Sequence, residues 1–287
     1  MTSALVLSGG GNLGAVEAGM LLAFEDAGIT ADVIVGTSVG AINGAWVAGA
    51  RPAAGLAEIW ERLRRSDVFP FDPLGGFLGF IGLRDHLVPL SGLRRLLRTN
   101  LPFERLEDAA VPFHVVATNV LSGADVLLSD GPALEAVLAS AAIPGVFSPV
   151  TIDGIPLMDG GIVNNTPISH AVALGAELIW VLSTGYACAL PSPPHSALGM
   201  GLHAVTQAIQ ERLALDVERY AGQVDLRVVP PLCPVTVAPT DFSQAETLIK
   251  RARAHTANWL KDRGGHRDAP SASGWLHPHS HRRSESP

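Results

Sequence analysis

Three short stretches of this 287-residue chain carry residue types whose spacing suits nucleophilic chemistry. Gly36-Thr37-Ser38-Val39-Gly40 is a G-x-S-x-G run between the apolar "DVIV" and the small-residue stretch "AINGAWVAGA". At a strand-to-helix junction this pattern reads as a nucleophile elbow, a sharp turn that exposes the Ser38 hydroxyl while Gly36 and Gly40 avoid collisions inside it. The positive end of the following helix favours negative charge beside the serine. "SGGGNLG", residues 8–14, is a second loop between an apolar run and a helix. If the two strands are neighbours in a parallel sheet, both loops leave the same edge. Backbone N–H groups around Gly9, Gly10, Gly11 and Asn12 then face the serine as an oxyanion hole, with Gly14 supporting the turn. Removing one such donor typically costs about 10²–10³ in turnover. The third stretch is "PLMDGG", where Asp159 is followed by Gly160 and Gly161. Those glycines let the backbone pass close to another element, which suits an inward carboxylate. An ordinary aspartate, with a pKa near ~3.9, is a weak base. Partial burial and a direct hydrogen bond to Ser38 would let Asp159 take its proton. Taken alone, the same aspartate reads more readily as capping or bracing a turn.

The first loop also fits G-x-G-x-x-G through Gly9, Gly11 and Gly14, a dinucleotide fingerprint. That fingerprint needs an acid at the exit of the second strand, about 20 residues on. Here Asp32 stands at the strand's beginning, and its exit carries Gly36, Thr37 and Ser38. No Gly-Lys-Ser/Thr follows either, so the phosphate-loop alternative fails. A nucleotide-binding oxidoreductase is kept as the alternative from another class.

The elements that must position these groups alternate. Strands are expected at 4–7, 32–35, 113–117, 125–128, 178–183 and 226–229. Helices are expected at 12–27, 132–142, 167–174, 198–220 and 243–260. Strand, helix, strand, helix at this spacing indicates an α/β domain with a largely parallel sheet. In the helix over 198–220, Leu198, Leu202, Val205, Ile209, Leu213, Val217 and Tyr220 step by three or four and mark one buried face. "FPFDPLGGFLGFIGL", residues 69–83, suits neither a helix nor an alternating strand. A lid or lipid-seating patch and ordinary core packing are both open for it.

Hydrophobic residues make up 47% of the chain, ample for a core without staples. A net charge of −7, without a dense basic patch, argues against nucleic acid as a partner. Cys188 and Cys233 are too few for a disulfide framework and are expected as buried reduced thiols, pairing only if the fold brings them together. With no signal-peptide pattern and no apolar run long enough to span a membrane, a cytoplasmic protein, peripheral at a membrane at most, is expected. The catalytic domain is expected over 1–262, with a disordered tail over 263–287 whose "HPHSH" is read as non-metal-binding.

In this order, "GGGNLG", "GTSVG" and "DGG", with "ATNVLSG" and "ASAAIPGVFSPV" between the last two, resemble the patatin-like phospholipase family over about residues 4–185. The resemblance implies a three-layer α/β/α fold with a mainly parallel central sheet. It implies a catalytic dyad of Ser38 and Asp159 without histidine, acting on acyl esters of phospholipids and other lipids. No cofactor and no metal are expected, and the partner is a lipid or membrane surface. Leu13 stands where the family often has Arg or Lys, so a catalytically weak lipid-binding relative is a further alternative. His170, His195, His203 and His255 follow in the order a Ser-Asp-His triad would use, but His170 and His203 read as structural. Asn164 and Asn165 are expected to cap the helix that begins near Pro167, and Ser140 is expected to be structural.

Overall fold

A computed structural model describes residues 1–184, 192–193, 195, 197–233, 235, 237 and 241–262. The chain opens with β1 (Ser3–Leu7), α1 (Gly14–Asp26), β2 (Val33–Thr37) and α2 (Val39–Ala48). Four helices follow: α3 (Ala53–Arg62), α4 (Arg65–Val68), α5 (Pro73–Phe80) and α6 (Ser91–Asn100). Next come β3 (Phe113–Asn119), β4 (Asp125–Leu128), α7 (Ala133–Ser140), β5 (Val150–Ile152) and β6 (Ile155–Asp159). The remainder is α8 (Gly161–Asn164), α9 (Ile168–Ala173), β7 (Leu178–Leu182), α10 (Ala197–Tyr220), β8 (Asp225–Val229) and α11 (Ala245–Asp262).

One mixed sheet runs β5-β6-β3-β2-β1-β7-β8, with β4 also paired to β3. The pairs joining β3, β2, β1, β7 and β8 are parallel, and those of β4, β5 and β6 are antiparallel. Alternation sorts the central strands into two cores. Leu5 and Leu7 of β1 face a cluster built with α1, α2, α3, α7 and α11, whereas Ala4 and Val6 face one built with α9 and α10. The result is a central sheet with helices on both faces. Helices α1 and α11 lie close because Gly19 has no side chain: a Cβ there would stand 2.4 Å from the Ile249 carbonyl oxygen.

Helices α3, α4, α6 and α8 are not among the expected elements, and four further features of the fold depart from the sequence expectations. Strands β5 and β6 are not among the expected ones, because three- and five-residue strands, one holding Pro156, carry too little periodicity. The 69–83 stretch is partly helical: α5 is started by Asp72, whose carboxylate accepts the Gly75 N–H at 2.9 Å. The α10 stripe is core only at its C-terminal end. Leu213, Val217 and Tyr220 are buried, but Val205 is 44% exposed. The side chains of Leu198 and Leu202 lie outside the described residues. Finally, Cys233 is disulfide-bonded rather than a reduced thiol, because its neighbourhood is set by tertiary folding that two isolated cysteines in a sequence do not reveal. Cys188 and the 263–287 tail, with its "HPHSH", lie outside the described residues. No described helix is long and apolar enough to cross a membrane.

Candidate active site

Strand register brings Ser38 and Asp159 together. β2 pairs with β3 as far as Thr37–Val116, and β6 pairs with β3 from the opposite direction, ending at Asp159–Ala117. Because β4 occupies the other side of β3 at residues 115–118, overlapping the ends of both stretches, β2 and β6 share one side and terminate at adjacent registers. Ser38 is the next residue after β2, and Asp159 is the last of β6. The Ser38 hydroxyl donates to Asp159 Oδ2 at 2.6 Å.

Ser38 adopts φ 54° and ψ −122°, a conformation that costs a non-glycine residue about 1–3 kcal/mol. Its surroundings impose that turn. A Cβ on Gly36 would lie 2.5 Å from the Gly40 carbonyl oxygen, and one on Gly40 would lie 2.3 Å from that of Leu7. Only bare backbone fits where β1, β2 and α2 converge. The Ser38 N–H donates to Ser140 Oγ at 2.8 Å, and that hydroxyl donates onward to the Val116 carbonyl at 2.6 Å. Ser140 is therefore structural, as expected, and its specific task is to hold the serine's backbone.

Asp159 is buried, 6% exposed. Burial pushes its pKa up to about 6, while the hydrogen bonds from Ser38 and from the Gly161 N–H (2.7 Å to Oδ1) oppose the rise. Its own amide donates to the Ala142 carbonyl at 2.9 Å, and Thr118 Oγ1 donates to its carbonyl at 2.9 Å. Gly160 permits the approach of this turn to β3, since a Cβ would stand 2.3 Å from the Val116 carbonyl oxygen.

The glycine loop lies at the same edge. The Gly9 N–H donates to the Asn165 carbonyl at 3.0 Å, which corrects its expected place in the oxyanion hole: that amide already has its acceptor. Gly9 instead anchors the loop, its carbonyl accepting from Thr184 Oγ1 at 2.7 Å and Asn165 Nδ2 at 3.2 Å. Gly10 and Gly11 are exposed, and Gly11 holds φ +60°. Asn12 is buried and donates through its side chain to the Asp241 carbonyl at 2.7 Å, tying the loop to the segment before α11. Gly14 lets α1 press on α2 and α3, for a Cβ there would meet Val39 at 2.3 Å and Trp60 at 2.4 Å. Leu13 packs partly buried against the core.

A buried polar brace supports the loop from beneath. Asn43 Nδ2 donates to the Gly14 carbonyl at 3.0 Å and to Glu17 Oε2 at 2.9 Å, while Trp60 Nε1 donates to Asn43 Oδ1 at 2.9 Å. Burial holds the Glu17 carboxyl well above the usual carboxylate range. Neither Glu17 nor Asn43 stands out in the sequence, as each occupies an ordinary helical position.

The asparagines before α9 do not cap it, since the helix begins after Pro167 without a side-chain cap. Asn164 Nδ2 instead donates to Asp125 Oδ2 at 2.8 Å and to Ser169 Oγ at 2.9 Å. Asn165 fills the space between Gly9 and Gly161, where a Cβ on either glycine would touch its Oδ1. His170 spends its Nε2 on Asp125 Oδ1 at 2.9 Å. A cavity of about 180 Å³ opens beside this corner, walled by Gly161, Ile162 and Asn165 on one side and Val205, Ile209 and Arg212 of α10 on the other. The polar end of that wall is an ion pair, Arg212 Nε to Asp216 Oδ2 at 2.8 Å. Among the described residues, no group of three or more His, Cys, Asp or Glu is arranged to hold a metal.

Fold and site together define an α/β protein with a serine in a strained strand-to-helix turn, hydrogen-bonded to a buried carboxylate. The family model for patatin-like phospholipases matches residues 5–172, more than half of the chain, and the chain belongs to that family. It is 31% identical over 186 residues to the human patatin-like phospholipase domain-containing protein 6, covering 64% of this chain and 13% of that protein. It is 31% identical over 193 residues to the lysophospholipase nte1 of Aspergillus terreus, covering 63% of this chain and 12% of that one. The chain thus matches only about an eighth of the length of these relatives. Among solved structures, VipD from Legionella pneumophila aligns over 91% of this chain and 66% of its own, with a TM-score of 0.45 and 14% identity.

Proposed function

We propose that this chain is a serine acyl hydrolase of lipid esters, with residues 1–262 as its catalytic unit. The direct 2.6 Å hydrogen bond from the Ser38 hydroxyl to the buried Asp159 carboxylate carries this reading. Ser38 Oγ attacks the acyl carbonyl and passes its proton to Asp159. The developing oxyanion sits toward the Gly10 and Gly11 amides, with the N-terminus of α2 adding favourable potential. As the tetrahedral species collapses, Asp159 returns the proton to the departing alcohol. Water then attacks the acyl-serine, giving its proton to Asp159, and the fatty acid leaves as Ser38 recovers the proton. A carboxyl with pKa about 6 is ionised at neutral pH and is a stronger base than an exposed aspartate.

Lipid as the substrate class is supported by the family and by the names of the relatives. The cavity beside Asn165 is smaller than the ~300 Å³ of a typical small-molecule site, so it suits one part of a lipid, an acyl segment against Ile162, Val205 and Ile209. Fatty-acid release from lysophosphatidylcholine tests the proposal. The wild type should turn over, and Ser38→Ala should lose on the order of 10³-fold or more. Undiminished release by Ser38→Ala would overturn it.

A further inference from the structure

Helix α5 is amphipathic in reverse. Its sequence, "PLGGFLGF", spends three of eight positions on glycine, each costing a helix about 1 kcal/mol. Two of them face protein: Gly75 is buried, and a Cβ on Gly79 would stand 2.2 Å from the His86 carbonyl oxygen. The small face therefore packs inward and the bulky face turns out. Phe71, Leu74, Phe77, Phe80, Ile81 and Leu83 are all exposed, Phe71 at 91% and Phe80 at 84%. Scattered exposed apolar residues are normal, but six within one short segment need a covering partner.

Charge around the patch points to what covers it. Of the eight Arg in residues 62–105, Arg62, Arg94 and Arg105 are ion-paired with Glu58, Glu135 and Glu107, whereas Arg64, Arg65, Arg84, Arg95 and Arg98 are exposed. Arg84 directly follows the apolar run and is exposed, 3.8 Å from Asp72 at the start of α5, and Arg65 is exposed on α4, four residues before Phe69. An exposed apolar segment flanked in sequence by exposed arginines fits the boundary between acyl chains and anionic headgroups. The segment is also fixed to the dyad's surroundings. Phe69 stacks on Phe147 with ring centroids 5.6 Å apart, and the Val88 N–H donates to the Val146 carbonyl at 2.9 Å. Residues 146 and 147 end the turn whose Ala142 carbonyl holds the Asp159 amide.

We infer that the 69–84 segment is a lipid-surface docking element. Phe77, Phe80 and their exposed neighbours enter the acyl layer of a bilayer, while Arg65 and Arg84 meet anionic headgroups. The element stays coupled through Phe69 and Phe147 to the turn that supports Asp159. The inference is separable from the hydrolase reading, because docking requires no turnover.

Vesicle flotation of the full chain tests it, using phosphatidylcholine vesicles with and without phosphatidylglycerol, alongside gel filtration and thermal melts. The wild type should float with both, and more strongly with phosphatidylglycerol. Phe77→Ser combined with Phe80→Ser should lower partitioning at least tenfold at unchanged Tm, since both side chains are exposed. Arg65→Gln with Arg84→Gln should erase the phosphatidylglycerol preference and keep residual binding. A wild type that stays unbound, or a double Ser variant that floats like the wild type, would overturn the inference. So would an oligomer abolished by the Ser substitutions without vesicle binding, which would assign the patch to a second copy of the chain.

Discussion

Replacing Asp159 by Asn should destroy turnover and stabilise the fold. The carboxyl's pKa is about 6 in the folded protein against about 3.9 in an unfolded chain. The gap of about two units, at ~1.4 kcal/mol each, makes the ionised form cost the native state about 3 kcal/mol. The sign follows from proton uptake: between the two pKa values the folded state holds a proton that the unfolded state has lost. Stability therefore falls as pH rises from about 4 to about 6, and the cost is fully present above the folded pKa. The amide side chain of the Asp159→Asn variant would keep an acceptor for the Gly161 N–H and a partner for the Ser38 hydroxyl, so it avoids the charge cost without orphaning either group. Urea or guanidinium unfolding at pH 7.5 should show the variant more stable by up to about 3 kcal/mol, or roughly 6 °C in Tm at ~2 °C per kcal/mol. The difference should shrink as pH is lowered toward 4. A variant no more stable than wild type at pH 7.5, or an advantage that stays constant with pH, would refute the reasoning.

Two further substitutions probe the supports of the site. Ser140→Ala leaves the Ser38 N–H and the Val116 carbonyl without their partner, which should cost about 1–3 kcal/mol in denaturant unfolding and lower kcat more than KM, by up to about 10²-fold. Ile209→Trp should narrow the cavity beside Asn165, so the ratio of long-chain to acetyl ester turnover falls on the order of tenfold while acetyl ester turnover is kept.

The residues proposed to carry the chemistry are legible in the sequence because their constraints are local. A serine in a sharp turn needs Gly36 and Gly40 beside it whatever the rest of the fold does, and Gly160 and Gly161 mark a close passage in the same way. The strands β1, β2, β3 and β7 stand out as apolar runs. What stays hidden depends on register and on distant packing. Nothing in "LASAAIPG" says that Ser140 will receive an amide 102 residues away, nor that Asn165 will occupy the Gly9 amide. The short strand that carries Asp159 is invisible to periodicity, although it is the element that delivers the carboxylate. Helix α5 escapes detection because its pattern is inverted: bulk faces out, so an inward-facing hydrophobic template does not find it. The α10 stripe misleads in the opposite sense, as apolar spacing continues past the core to the wall of a cavity.

The identity of the nucleophile is tested most directly by intact-mass analysis after exposure to a fluorophosphonate probe. The account predicts one adduct per wild-type chain and none on Ser38→Ala. Labelling that persists on Ser38→Ala would contradict it.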